Sequence, residues 1–261
     1  MNTNPRPGRL EGKVAIVTGG GSGFGEGIVH KFVAEGAQVL IADRDMANAE
    51  RVAAAAGAAA RAIKVDVSVA SDVQRMVAAA VQHFGRLDIL INNAGVSHLP
   101  QALESVSEDD FDRIAAINMK AIYLGMREAV PLLKANAKGA GGIRGAVLNI
   151  ASTAGVSPRP RLSWYNASKG WVITATRACA VELAPFGVRV NALNPVAGET
   201  PLLKTFLGED TPEMRAKFLS TIPIGRFSQP EDLGNAACFL CSDEASMITG
   251  VCMEIDGGRC I

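Results

Sequence analysis

Apolar positions along this chain fall into two alternating rhythms. Short runs dominated by apolar residues occupy 13–18, 38–42, 61–65, 87–91, 146–150, 188–193 and 251–255, the first of them rich in β-branched residues. Runs of this length without polar alternation predict strands buried on both faces. Between them, apolar residues recur at helical spacing: from the glycines after Thr18 to about Glu35, and over 46–56, 70–84, 108–134, 164–184 and 230–241. The long region 108–134 is interrupted near Asn118 and carries Pro131 near its end. The glycine-rich run 139–145 reads as a turn, and 195–221 has no strand pattern. Strand and helix in strict alternation predict right-handed crossovers and a mostly parallel sheet, an α/β fold in one domain of 261 residues after a short polar tail, 1–9.

Ligands of such sheets bind beyond the carboxyl ends of the strands. Gly19, Asp43, Asp66, Asn93, Ser152 and Asn194 stand at or just past those ends, so polar and glycine positions converge on one edge. The first strand runs into Thr18-Gly19-Gly20-Gly21-Ser22-Gly23-Phe24-Gly25 and then a helix. Bare backbone can approach a pyrophosphate there, and the helix N-terminus offers free N–H groups and a positive dipole end. With an acid closing the second strand, the turn reads as a dinucleotide site. Asp43 can accept from an adenosine ribose and would repel a 2′-phosphate, which favours NAD over NADP; Arg44, next in the chain, is the one counter-signal. Asp66 with Val67 suits the edge of an adenine ring, or equally a helix cap. Asn93, in Asn92-Asn93-Ala94-Gly95, either lines the cofactor or stabilises a turn.

Tyr165 and Lys169 lie four residues apart in a helical stretch and so share one face. A phenol with a reference pKa of about 10 is a poor base at neutral pH. A fixed ammonium beside it favours the phenolate, and a phenol tuned this way can exchange a proton with an alcohol or carbonyl oxygen. Ser152, thirteen positions earlier, is placed to donate to the same oxygen.

Composition removes several alternatives. Twenty-six basic and twenty-six acidic residues cancel, leaving no field to gather nucleic acid or anionic lipid. No apolar run suits a signal peptide or a membrane span, so a soluble cytoplasmic protein is expected. The five cysteines include a Cys238-x-x-Cys241 pair, but no second pair stands at metal spacing, so no metal site is assigned.

Taken together, T-G-x-x-x-G-x-G at 18–25, N-N-A-G at 92–95, a serine upstream of Y-x-x-x-K at 165–169 and the closing Asp256-Gly257-Gly258 resemble the short-chain dehydrogenase/reductase family, over nearly the whole chain. The resemblance implies a single-domain Rossmann fold with a seven-stranded parallel sheet and helices on both faces, reversible hydride transfer and a homotetramer. It implies Tyr165 as general acid/base, Lys169 binding the nicotinamide ribose and lowering the Tyr165 pKa, and Ser152 bonded to the reacting oxygen. Asn118 would hold a water linking Lys169 to solvent. Gly19, Ser22, Gly23, Phe24 and Gly25 would cradle the dinucleotide, with Asn93, Ala94 and Gly95 beside it. Pro195, Val196, Gly198 and Thr200 would meet its nicotinamide end. Val196 departs from the pattern, because the family usually has glycine there.

The expected substrate is a small to medium, fairly apolar secondary alcohol or ketone. Leu202, Leu203, Phe206 and Leu207 form an apolar stripe that either closes over it or packs onto the body. His98 reads as a solvated loop histidine in preference to a substrate contact; Ala154, Arg159, Arg161 and Trp164 flank the site in sequence. Alternatives are a 3-oxoacyl-thioester reductase, a sugar or polyol dehydrogenase, and a dinucleotide-sensing or scaffold protein.

Overall fold

The seven apolar runs form seven strands in the computed structural model, which describes residues 7–261. They are β1 (Val14–Thr18), β2 (Gln38–Asp43), β3 (Ala60–Lys64), β4 (Ile89–Asn92), β5 (Gly145–Ile150), β6 (Val188–Pro195) and β7 (Cys252–Ile255). One sheet joins them in the order β3-β2-β1-β4-β5-β6-β7, every neighbouring pair parallel. Every residue of β1, β4, β5 and β6 is buried, including the polar Arg189, Asn191 and Asn194 of β6. The fold is the α/β Rossmann fold. Its strand order reverses between β1 and β4, and a crevice opens at such a switch point.

The described residues form nine α-helices: α1 (Gly23–Ala34), α2 (Met46–Ala56), α3 (Ala70–Phe84), α4 (Glu108–Ile114), α5 (Ala121–Ala135), α6 (Ser163–Leu183), α7 (Leu203–Leu207), α8 (Pro212–Leu219) and α9 (Pro230–Cys241). Alternate residues of a strand face opposite ways. Accordingly Ala15 and Val17 join Ile28, Phe32 and Leu233 in one core, while Ile16 joins Met76, Leu124 and Leu133 in the other.

Two regions depart from the sequence reading. The interruption near Asn118 is a π-helical turn, Ala115–Lys120, that joins α4 to α5 with no break in the helical backbone. The segment after β6 holds two short helices, α7 and α8. Its apolar stripe divides: Leu203 and Leu207 are buried with Val196, Phe218, Ile222 and Phe227, whereas Phe206 packs on Tyr165. Residues 1–6 of the expected tail lie outside the described residues. Its end is fastened, since Arg9 donates from its N–H to Glu35 Oε2 at 3.0 Å and pairs with Glu244 at 2.6 Å, and Leu10 just beyond it is fully buried.

Buried Arg189 on β6 donates to the carbonyls of Leu240, Ser242 and Ile248 and so ties the end of α9 to the sheet. Cys238 and Cys241 are buried on α9, and burial pushes the Cys241 thiol up to about 12. Among the described residues no helix is long and apolar enough to cross a membrane.

Candidate active site

At the carboxyl ends of β1 and β2 the chain turns tightly. Gly19 and Gly23 adopt positive φ of 64° and 55°, a conformation that L side chains rarely take. A Cβ on Gly25 would lie 2.1 Å from Gly19 O, so α1 begins directly on the glycine turn. The side chain of Ser22, the residue before α1, makes no capping bond, and the first N–H groups of the helix are left to a ligand. Arg51 pairs with Glu26 at 2.7 Å and donates to Gly21 O at 3.1 Å, tying the turn to α2.

The second wall is fastened by Thr18, a residue the sequence reading gave no role of its own. Its hydroxyl donates to Ile91 O and accepts from the backbone N–H groups of Asn93 and Ala94. Asn93 answers by donating from Nδ2 to Thr18 O and Gly19 O at 2.8 and 3.0 Å. The carboxylate of Asp43 accepts from Gly21 N and Asp45 N, both at 3.0 Å. Two bonds leave it with lone pairs for a further donor. Asp66 accepts from the Ser68 N–H and hydroxyl, the turn-stabilising arrangement, while remaining on the cleft wall.

Between these walls lies a cleft of about 410 Å³. Of the residues singled out from sequence, Gly19, Ser22, Gly23, Phe24, Asp43, Arg44, Asp66, Val67, Asn93, Ala94, Gly95, Ser152, Tyr165, Lys169, Pro195, Val196, Gly198 and Thr200 all line it. Gly25 and Asn118 stand behind its wall. Leu202 and Phe206 contribute apolar surface to its wall. A Cβ on Gly198 would fall 2.4 Å from the Phe24 ring, so the two residues close that side only because one of them is glycine. The bare glycine turn, the free helix N-terminus and the Asp43 carboxylate together fit a dinucleotide.

Tyr165 and Lys169 stand one helical turn apart on α6, with relative exposures of 4% and 5%. Lys169 Nζ donates to Ile150 O at 2.8 Å and lies 5.8 Å from the Tyr165 ring centre. Ser152 Oγ accepts from Ala154 N at 3.1 Å and donates to Pro195 O at 3.5 Å, and its hydroxyl favours the charged form of the Tyr165 phenol. Ser152 precedes a 3₁₀ turn, Thr153–Gly155, that packs against α6. A Cβ on Gly155 would be 2.7 Å from the Lys169 carbonyl carbon. Asn118 clasps Val96 through a pair of bonds, accepting from its N–H and donating to its carbonyl, each 2.9 Å. It also donates to Ser168 Oγ at 3.0 Å, and Ser168 donates in turn to Tyr165 O.

Burial pushes the Tyr165 phenol up to about 12, against the lowering effects of the Ser152 hydrogen bond and the Arg159 charge. This differs from the lowered value expected of a phenol beside an ammonium. Desolvation disfavours the phenolate, and it also draws the Lys169 ammonium down to about 8. His98 likewise differs from expectation. It is buried, with Nδ1 2.7 Å from Leu99 O and Nε2 lacking a partner among the described residues. The cause is the fold of the loop after β4, which Asn118 holds at Val96 and Arg113 holds at Ser97 O.

A family model described as enoyl-(acyl carrier protein) reductase matches residues 19–259. The chain is 45% identical to the 4-formylbenzenesulfonate dehydrogenase of Comamonas testosteroni, over 96% of this chain and 98% of that one. It is 39% identical to the 2,5-dichloro-2,5-cyclohexadiene-1,4-diol dehydrogenase of Sphingobium indicum, over 96% and 97%. Among solved structures it superposes on the 3-ketoacyl-(acyl-carrier-protein) reductase of Brucella melitensis complexed with NADH. That match has a TM-score of 0.91 and 53% identity, covering 97% of this chain and 100% of the other. With its motifs on one crevice of a seven-stranded parallel sheet, the chain belongs to the short-chain dehydrogenase/reductase family, a family of oxidoreductases.

Proposed function

We propose that the chain, working as one domain, is a NAD-dependent oxidoreductase that interconverts a small to medium, largely apolar secondary alcohol and its ketone, with Tyr165 as general acid/base. The observation that carries this reading is that Ser152, Tyr165 and Lys169 line the same cleft as the glycine turn and Asp43. Gly19, Ser22, Gly23 and Phe24 would hold the pyrophosphate, and Asp43 the adenosine ribose. Asp66 and Val67 flank the adenine. Lys169, Pro195, Val196, Gly198 and Thr200 serve the nicotinamide end. When bound, the nicotinamide supplies the hydride acceptor or donor.

Ser152 and Tyr165 hold the reacting oxygen between them. For reduction, Tyr165 is protonated at neutral pH and donates to the developing alkoxide. For oxidation, Tyr165 must accept the alcohol proton, and Ser152, Arg159 and the Lys169 ammonium favour its charged form. Asn118, at the π-turn, orders the inner end of a proton route from Lys169. A widened helical turn frees a carbonyl to hold water there.

The apolar side chains of Val196, Leu202 and Phe206 on the cleft wall support an apolar substrate over a polyol. Two relatives are named for substrates built on a six-membered ring, which favours a ring-bearing substrate. The solved relative named as a 3-ketoacyl reductase supports a second reading, reduction of a 3-oxoacyl thioester. Initial rates with 1-phenylethanol, cyclohexanol, xylitol and, in reverse, acetoacetyl-coenzyme A separate the readings. Turnover of the first two is expected, and no turnover of any would favour a dinucleotide sensor.

Cofactor choice gives a sharper outcome. Wild type is expected to prefer NAD⁺, because a 2′-phosphate would face the Asp43 carboxylate. Asp43→Ser should shift the NADP⁺/NAD⁺ ratio of kcat/KM by about tenfold or more, the equivalent of about 1.4 kcal/mol. An unchanged ratio would place the ribose elsewhere. The exposed apolar side chains Tyr123 on α5 and Trp171 and Val181 on α6 favour a homotetramer paired through those helices. Light scattering should then return four times the chain mass of 27.2 kDa.

A further inference from the structure

We infer that Arg159 reads an oxyanion, a carboxylate or sulfonate, at the end of the substrate remote from the reacting carbon. The inference rests on the oxidoreductase reading of the same site and adds the substrate's charge. Arg159 lies between Pro158 and Pro160, and its carbonyl is pinned by Asn166 Nδ2 at 2.7 Å. Its partly buried guanidinium stands over the Phe218 ring of α8, 4.2 Å from the ring centre. Eight other arginines of the described residues hold a carboxylate within 4.0 Å. The guanidinium of Arg159 holds none, and unlike that of Arg189 it donates to no carbonyl among the described residues.

Its charged and titratable neighbours sharpen the point. Burial depresses the guanidinium's pKa, the like charge of Arg259 depresses it further, and only Tyr165 acts in the opposite direction. No acid acts on Arg159, while Asp256, close to Arg259 in the chain, is bonded to Gly258 N and Cys260 N; an incoming anion would relieve the partly desolvated charge on Arg159. Asn166, which pins Arg159, directly follows Tyr165 on α6. Phe206 packs on Tyr165 with ring centres 5.2 Å apart, beside buried Ala154 and Leu162. A substrate with its carbonyl on Ser152 and Tyr165 and its body on Phe206 would direct its far end toward Arg159. A planar guanidinium binds carboxylate and sulfonate through paired charge-assisted hydrogen bonds. The alternative role for Arg159 is purely structural, a cation stacked on Phe218 to hold α8.

Calorimetry on the NADH-loaded protein separates the two. Benzenesulfonate and benzoate are expected to bind wild type about tenfold or more tightly than Arg159→Gln, with Arg159→Lys between. Neutral benzenesulfonamide should bind all three alike, and the stronger of the two anions identifies the preferred headgroup. Equal benzenesulfonate affinity in wild type and Arg159→Gln overturns the inference. So does a parallel loss of benzenesulfonamide binding, the mark of a structural role. The unaltered protein provides a second measurement in case the variant fails to fold. Raising salt from 50 to 500 mM should weaken benzenesulfonate several-fold and leave benzenesulfonamide unchanged; equal salt dependence overturns the inference. In turnover, wild type should reduce 4-acetylbenzoate with a lower KM than methyl 4-acetylbenzoate. Equal KM values overturn the anion site alone. Failure to reduce either ketone overturns the oxidoreductase reading, and calorimetry still decides the anion site.

Discussion

Tyr165→Phe is expected to lower kcat by about 10²–10⁴, the usual worth of a positioned acid/base, and to leave NADH binding nearly intact. The substitution removes one oxygen. The ring keeps its packing against Phe206, Ala154 and Leu162, so the wall of the cleft holds its shape. Ser152 alone then remains to bind the reacting oxygen, and a serine hydroxyl cannot supply the proton that the phenol exchanges. Steady-state rates and fluorescence titration with NADH measure the two effects separately. Retention of a few per cent or more of wild-type kcat would remove Tyr165 from the acid/base role.

Lys169→Met should divide activity from stability in the opposite sense. Burial draws the Lys169 pKa from 10.5 to about 8. With about 1.36 kcal/mol per pH unit, keeping the ammonium in the fold at neutral pH costs roughly 3 kcal/mol. Methionine removes that cost and forfeits the bond to Ile150 O, worth about 1 kcal/mol. The variant should therefore be more stable than wild type at pH 7, by about 1–2 kcal/mol, while turnover falls at least about a hundredfold.

The pH dependence carries the proof. Because the folded pKa lies below the unfolded one, the unfolded chain binds more protons between the two values, and stability rises with pH there. The cost of Lys169 is complete below about pH 8 and is relieved toward 10.5. Tyr165 works in reverse: its folded value of about 12 exceeds the unfolded one, so its contribution holds below about pH 10 and is lost above it. Urea unfolding from pH 8 to 10 should thus narrow the gap between Lys169→Met and wild type. A gap that stays constant would mean that Lys169 is not buried as a charge.

What the sequence revealed and what it concealed have physical causes. Strands buried on both faces leave runs dominated by apolar residues, as at β1, β4 and β5, and the shorter apolar stretches of the remaining strands sufficed to place them and the residues at their carboxyl ends. The glycine turn was legible because close backbone approach at Gly19, Gly23 and Gly25 excludes side chains. The π-turn at Asn118 appeared only as an interruption, since i→i+5 bonding shifts the helical period without leaving a residue signature. Burial of His98 depends on the long-range fastening of Val96 and Ser97, which no local pattern records. The fate of the 202–207 stripe was undecidable from spacing, because one short helix divides its apolar residues between the core under α8 and the cleft. The Tyr165 pKa was misjudged for a related reason. Proximity to Lys169 could be read from the i,i+4 spacing, but desolvation is a property of everything packed around the pair. Arg159, between two prolines, belongs to no periodic element, and only the approach of α8 gives its guanidinium a setting.

The most direct test of Tyr165-dependent hydride transfer follows an isotope. Racemic 1-phenylethanol carrying deuterium at the carbinol carbon should yield NADH with deuterium at C4 of the nicotinamide, read by mass spectrometry, when incubated with wild type and NAD⁺. Tyr165→Phe should yield almost none in the same time. Labelled NADH formed at equal rates by both proteins, or no label transferred by wild type from this alcohol or from 4-(1-hydroxyethyl)benzoate, would contradict it.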